Sequence, residues 1–148
     1  MRRLILSIVE KDSPLTLDLL TRKVTKLHGW KRAGARIKRR VHENLGLLER
    51  RSEFSKTFIW LPETYSNRVQ FRGLADRSLQ EVSRTEIASV INANLQLFEN
   101  EEDQILALAR LLGIKRLSKA NRTYLSKCKQ WHSSEVDRRS NEGNNIPD

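Results

Sequence analysis

The sequence predicts a mainly α protein with one small β-hairpin, arranged as tandem units of winged-helix or helix-turn-helix type. Three observations lead there. Apolar residues recur at helical spacing through most of the chain, and a single β-branched and aromatic run stands out at residues 57–61. A block also occurs twice: Leu27-His28-Gly29-Trp30-Lys31-Arg32 matches Leu111-Leu112-Gly113-Ile114-Lys115-Arg116. Each copy lies between two predicted helices, so the repeat reads as two versions of one supersecondary unit.

Taken in order, Leu4, Ile5, Ile8 and Val9 form the stripe of a first helix, which Ser13-Pro14 ends because proline disfavours helix in the residue before it. Thr16 is the predicted cap of a second helix, with Asp18 in its first turn and Leu20, Val24 and Leu27 as its buried stripe. Gly29 stops it. A third helix is predicted from about Ala33 to Arg50, with Ile37, Val41, Leu45 and Leu48 inward. Phe54 to Leu61 then reads as a hairpin turning at Ser55-Lys56 and closed by Pro62. Arg68–Arg72 reads as an extended piece, and Ser83-Arg84-Thr85-Glu86 spells a capping box for the next helix. That helix carries Ile87, Val90 and Ile91. Another starts at Glu99–Asp103 and stops at Gly113, and a last one runs from about Leu117 to Trp131. Glycine suits both corners, where the chain needs positive φ, and Trp30 and Ile114 are expected to plug the apolar gap beside it. The predicted organisation is a winged-helix-like unit at 1–63, a linker at 64–82, a second unit at 83–132 with its wing absent or degenerate, and a disordered tail at 133–148.

The chain of 148 residues carries 28 Lys and Arg against 18 Asp and Glu, a net charge of +10. The excess is concentrated. Residues 1–63 hold 15 basic and 7 acidic groups, residues 64–132 hold 11 and 7, and the tail holds 2 and 4. Clustered cations attract polyanions, because binding releases condensed counterions, although a solvated basic surface with no partner has the same composition. Cys128 is the lone cysteine, so neither an internal disulfide nor a thiolate zinc site can form, which suits a cytoplasmic location. The run Leu4–Val9 is too short to span a membrane, and no membrane partner is expected.

The third predicted helix holds the most specific signal. With its apolar stripe inward, Arg32, Arg36 and Arg39 fall on the opposite face, flanked by Lys31, Lys38 and Arg40. No acid lies between Lys31 and Arg40, whereas a merely solvated helix gains from alternating charge. Basic residues at a helix start oppose the macrodipole, a cost that a bound phosphate reverses. Lys56 adds a cation at the hairpin, and the second unit offers Lys115, Arg116, Lys119 and Arg122. These eleven residues are the candidate nucleic-acid contacts. Tyr124, Leu125, Cys128 and Trp131 read as the apolar face of the last helix. Phe58 and Trp60 read as packing.

Catalytic patterns are missing from the sequence. His28, His42 and His132 have no acids at ligand spacing, and Gly29 with Gly34 has Ala35-Arg36 where a phosphate loop needs lysine and a hydroxyl. Glu101-Glu102-Asp103 reads as a helix start obeying the dipole. The expectation is a binding module without enzyme activity, cofactor or metal.

The blocks Ser13-Pro14-Leu15, Leu19-Leu20-Thr21-Arg22-Lys23-Val24 and His28 through Ile37 resemble a bacterial domain family of unknown function. So do Phe58-Ile59-Trp60, Val69-Gln70-Phe71-Arg72, Glu86-Ile87-Ala88 and Arg110 through Arg116. That family is found at the C-terminal end of superfamily I DNA helicases that carry an endonuclease domain like that of very-short-patch repair. The resemblance covers most of residues 4–130 and implies a DNA-engaging accessory module, with duplex or junction DNA and a helicase or helicase-nuclease as partners. It carries over no catalytic residues. Asn121, standing where the first copy has Ile37, and the lack of a second hairpin weigh against DNA contact by the second unit. The alternative function is a protein-interaction module docking on a helicase.

Overall fold

A computed structural model describes residues 1–62 and 69–143. Among them the chain is mainly helical, with seven α-helices and a small three-stranded antiparallel sheet. It divides into two units, Met1–Val69 with Glu81–Ser83, and Gln70–Gln80 with Arg84–Asp148. Of the expected linker, residues 64–68 lie outside the described residues.

The first unit runs α1 (Arg2–Asp12), β1 (Leu15–Thr16), α2 (Leu17–Leu27), α3 (Ala35–Glu43), β2 (Glu49–Glu53) and β3 (Lys56–Trp60). Its core joins Ile5, Ile8 and Val9 of α1 to Leu19, Leu20 and Val24 of α2, with Val41, Leu45, Leu48 and Ile59 closing it. Each fully buried aliphatic side chain contributes about 1.5–3 kcal/mol relative to exposure. Thr16 caps α2 as its sequence position predicts, the hydroxyl accepting from the Leu19 amide at 3.1 Å. The sheet order is β1-β3-β2, with Leu15 opposite Ile59 and Glu49 opposite Trp60. Phe54 and Ser55 both have positive φ, 47° and 68°, as a two-residue hairpin turn of type I′ requires, so the turn sits one residue earlier than the sequence suggests. Lys56 consequently opens β3, opposite Glu53.

Two expectations are corrected here. The third helix ends at Glu43 instead of Arg50. Asn44 folds its side-chain amide back onto the Arg40 carbonyl at 2.7 Å, and Gly46 takes φ +59°, which a continuing helix cannot accommodate. Leu45 and Leu48 still reach the core, from the turn after the helix. Strand β1 has no counterpart in the sequence reading, because two residues carry no period.

Carboxylates fasten Glu81–Ser83 to this unit. Arg22 donates two hydrogen bonds to Glu81, at 2.8 and 3.0 Å, and the Thr16 hydroxyl donates a third at 3.4 Å. The Ser83 hydroxyl meets both oxygens of buried Glu53, at 3.0 and 3.1 Å.

The second unit contains α4 (Arg84–Ala93), α5 (Leu95–Glu99), α6 (Gln104–Leu111) and α7 (Lys119–Gly143). Ile87, Ile91, Phe98, Leu108, Leu112, Tyr124, Leu125 and Cys128 are its buried apolar residues. Trp131 is half-buried under the Arg84 guanidinium, 4.5 Å from its ring centroid, which is a packing role. The Phe71 amide donates to the Ser89 hydroxyl at 3.1 Å, anchoring the extended piece along α4. Asp103 caps α6 by accepting from the Leu106 amide at 3.0 Å. His132 is buried with Nε2 2.7 Å from the Asn92 amide oxygen. Burial, and then the charge of Arg139, push its pKa below the ordinary imidazole value. Helix α7 continues to Gly143 through the stretch where a disordered tail is expected, with Arg138 bonded to Glu135 at 3.0 Å and Glu142 at 3.3 Å. Residues 144–148 of that tail lie outside the described residues.

Candidate nucleic-acid interface

The site is built outward from the corner between α2 and α3. The amides of His28, Gly29 and Trp30 close α2 on the carbonyls of Val24, Lys26 and Thr25, at 3.1, 3.0 and 3.1 Å. Gly29 supplies the required left-handed residue, φ +71°. Residues 31–34 then lead to α3, whose first turn closes with the Ile37 and Lys38 amides on the Gly34 carbonyl. The second copy repeats this residue for residue. Leu112, Gly113 and Ile114 donate to Leu108, Arg110 and Ala109, at 3.1, 3.1 and 2.9 Å, Gly113 has φ +81°, and α7 begins after residues 115–118. The sequence repeat is therefore a repeat of backbone conformation.

On α3, Val41 is fully buried and Ile37 packs against the core, which fixes the helix's inward side. Arg36, Lys38, Arg39 and Arg40 are exposed, as are Lys31 and Arg32 in the connection before it. None of these six meets a carboxylate among the described residues. From Leu19 to His42 the chain carries no acid, and Arg22 and Lys23, near its beginning, are paired with Glu81 and Asp12. The acids of this unit that the structure buries, Glu53 and Glu81, are turned inward onto hydroxyl and guanidinium donors. Their charge is thereby withdrawn from the surface, and the cations of α3 keep theirs. With no acid in the first turn and no side-chain cap, the α3 N-terminus leaves its dipole uncompensated.

The other candidates divide. Lys56 is half-buried at the hairpin, one residue beyond the turn. Arg50, on β2, is exposed and reaches the His42 carbonyl at 3.5 Å. Arg51 lies over the Trp60 ring at 4.7 Å and pairs with Glu49 at 2.7 Å. In the second unit Lys115, Arg116 and Lys119 are exposed and unpaired among the described residues. Arg122 is not: it grips Asp103 through two hydrogen bonds, at 3.1 and 2.9 Å. This contact, with the Leu106 amide, holds the Asp103 carboxyl below the usual carboxylate range. The structure also brings together a pair that the sequence reading kept apart, the stacked rings of His28 and Trp30 at the first corner. The only sequence signal for it is an aromatic residue on each side of the corner glycine.

The model of a family of proteins of unknown function, DUF3320, matches residues 1–39, about a quarter of the chain. The match contains the first blocks of the resemblance, from Ser13 to Val24 and from His28 to Ile37, together with the start of α3. No curated protein and no solved structure matches the chain. Among the described residues no helix is long and apolar enough to cross a membrane.

Proposed function

We propose that the chain is a DNA-binding accessory module, in which α3 engages the phosphates and groove of duplex or junction DNA. The observation that carries this reading is the group of six exposed cations at and just before the start of α3, unpaired among the described residues, in a span from which acids are excluded. The element order α1-β1-α2-α3-β2-β3 and the sheet order β1-β3-β2 support a winged-helix arrangement, with α3 as recognition helix and the β2–β3 hairpin as wing. At about 1.5 Å per residue, α3 is roughly 13 Å long, short enough to enter a major groove end-on. The second corner is then a wingless counterpart, and single, buried Cys128 fits a reducing cytoplasm.

The test is a salt titration. Replacing Arg36→Glu and Arg39→Glu should weaken duplex binding and flatten the slope of log K against log salt by about one unit per lost phosphate contact. An unchanged slope in fluorescence anisotropy refutes contact through α3. A second reading, docking on a helicase partner, is favoured by a different feature, a groove of about 280 Å³ in the second unit lined by Ile91, Leu95, Phe98 and Leu108. Capture of a purified superfamily I helicase at a salt concentration that abolishes DNA binding separates the two readings.

A further inference from the structure

At the first corner the His28 imidazole lies flat against the Trp30 indole, with centroids 4.3 Å apart and planes 12° from parallel. A residue filling the corner would be buried, yet Trp30 keeps 41% of its surface exposed and Leu27 keeps 64%. The expected plug is not one. The corner does not need either ring, because Ile114 makes the equivalent backbone bond in the second copy, follows buried Leu112 instead of a histidine, and is half-buried. The first copy thus presents a two-ring aromatic surface to solvent, and Lys31 and Arg32 follow it directly. Both cations are exposed and unpaired among the described residues.

We propose that the His28–Trp30 stack is a seat for an unpaired nucleobase, which extends the stack while Lys31 and Arg32 hold the flanking phosphates. The inference rests on the α3 reading and narrows its substrate to nucleic acid carrying unpaired nucleotides beside a duplex. A base inside a duplex has both faces covered by its neighbours, so only a splayed, terminal or single-stranded base offers a face to a ring. Every base has such a face, so the seat tolerates any sequence. The Trp30 amide is tied to Thr25 and its ring to His28, so the platform exists before the base arrives.

The experiment titrates the full chain with a duplex bearing a short thymidine tail, and with the same duplex bearing an abasic tail. The two probes carry the same phosphates and differ only in bases. The chain should prefer the thymidine tail by about tenfold, the scale of one base–aromatic stack. Trp30→Ile copies the residue of the second corner, so the variant keeps a tolerated fold, and the preference should fall to one. Trp30→Phe should retain most of it. Arg36→Glu with Arg39→Glu should weaken both probes alike and leave the ratio standing. A wild-type ratio of one, or a preference that survives Trp30→Ile, overturns the seat and leaves the α3 reading intact. Absence of binding to either probe overturns both.

Discussion

At the scale of the residue, the burial of carboxylates sets how much cationic charge the surface keeps. Glu86 is fully buried, and Arg77, whose side chain is 6% exposed, holds it with bonds of 2.7 and 2.8 Å. Arg72 adds its backbone amide at 3.3 Å and its Nε at 3.4 Å, while Arg77 is itself steadied by the Gly73 carbonyl. Removing one partner of a buried ion pair strands the other charge, which costs more than the pair contributes net. Glu86→Gln should therefore destabilise the protein by about 3 kcal/mol. The half-buried counterpart Glu135→Gln, which loses only the surface contact to Arg138, should stay within about 0.5 kcal/mol. Urea midpoints of the two variants check this, and equal midpoints would show that Arg77 finds another partner or water. The sequence marks Glu86 as half of a capping box. Its bonds to Arg77 and Arg72 are tertiary, and no local pattern announces a partner nine or fourteen residues upstream.

At the scale of the element, the sequence reading succeeds where the determinant is local and fails where the determinant is a turn or a distant strand. The α2 cap, the helix stops at Gly29 and Gly113, and the exposed cationic side of α3 follow from residue chemistry and 3.6-residue spacing. The overlong third helix does not: Leu45 and Leu48 keep its apolar spacing although the backbone has already turned at Gly46, so periodicity alone prolonged it. Strand β1 exists only because β3 pairs with it. Trp30 reads from its place beside the corner glycine as a plug for the apolar gap, whereas its ring stacks on the His28 imidazole and stays exposed, a pairing that no helical period marks. The corners themselves are testable. A Cβ added at Gly29 or Gly113 meets nothing within 4 Å, so alanine there carries only the backbone cost of positive φ. Gly29→Ala and Gly113→Ala should each lose about 1 kcal/mol in denaturant melts. A loss at Gly113 alone would mean that the first corner relaxes away from its left-handed conformation.

At the scale of the whole molecule, the net charge of +10 is the sum of two unlike units. In the first, the stretch from Leu19 to His42 carries no acid, and the cations on and just before α3 meet no carboxylate among the described residues. In the second, Glu99, Glu101 and Glu102 are exposed beside α6, and Asp103 occupies Arg122 in a two-bond pair. A polyanion approaching the second corner meets Lys115, Arg116 and Lys119, but the same unit also exposes these carboxylates, whose repulsion is screened only beyond about one Debye length, roughly 8–10 Å at physiological salt. The shared hydrogen-bond pattern and left-handed glycine of the two corners thus make a controlled comparison: similar geometry, two electrostatic settings. If α3 is the contact surface, Lys115→Glu with Arg116→Glu and Lys119→Glu should lower duplex affinity less than Arg36→Glu with Arg39→Glu, although three charges are reversed instead of two. The slope of log K against log salt should likewise change less, because fewer condensed counterions depend on the second corner. Measuring both variants on one duplex across the same salt series decides it. An equal or larger loss from the second-unit variant would move the principal contact to the start of α7 and leave α3 a supporting role.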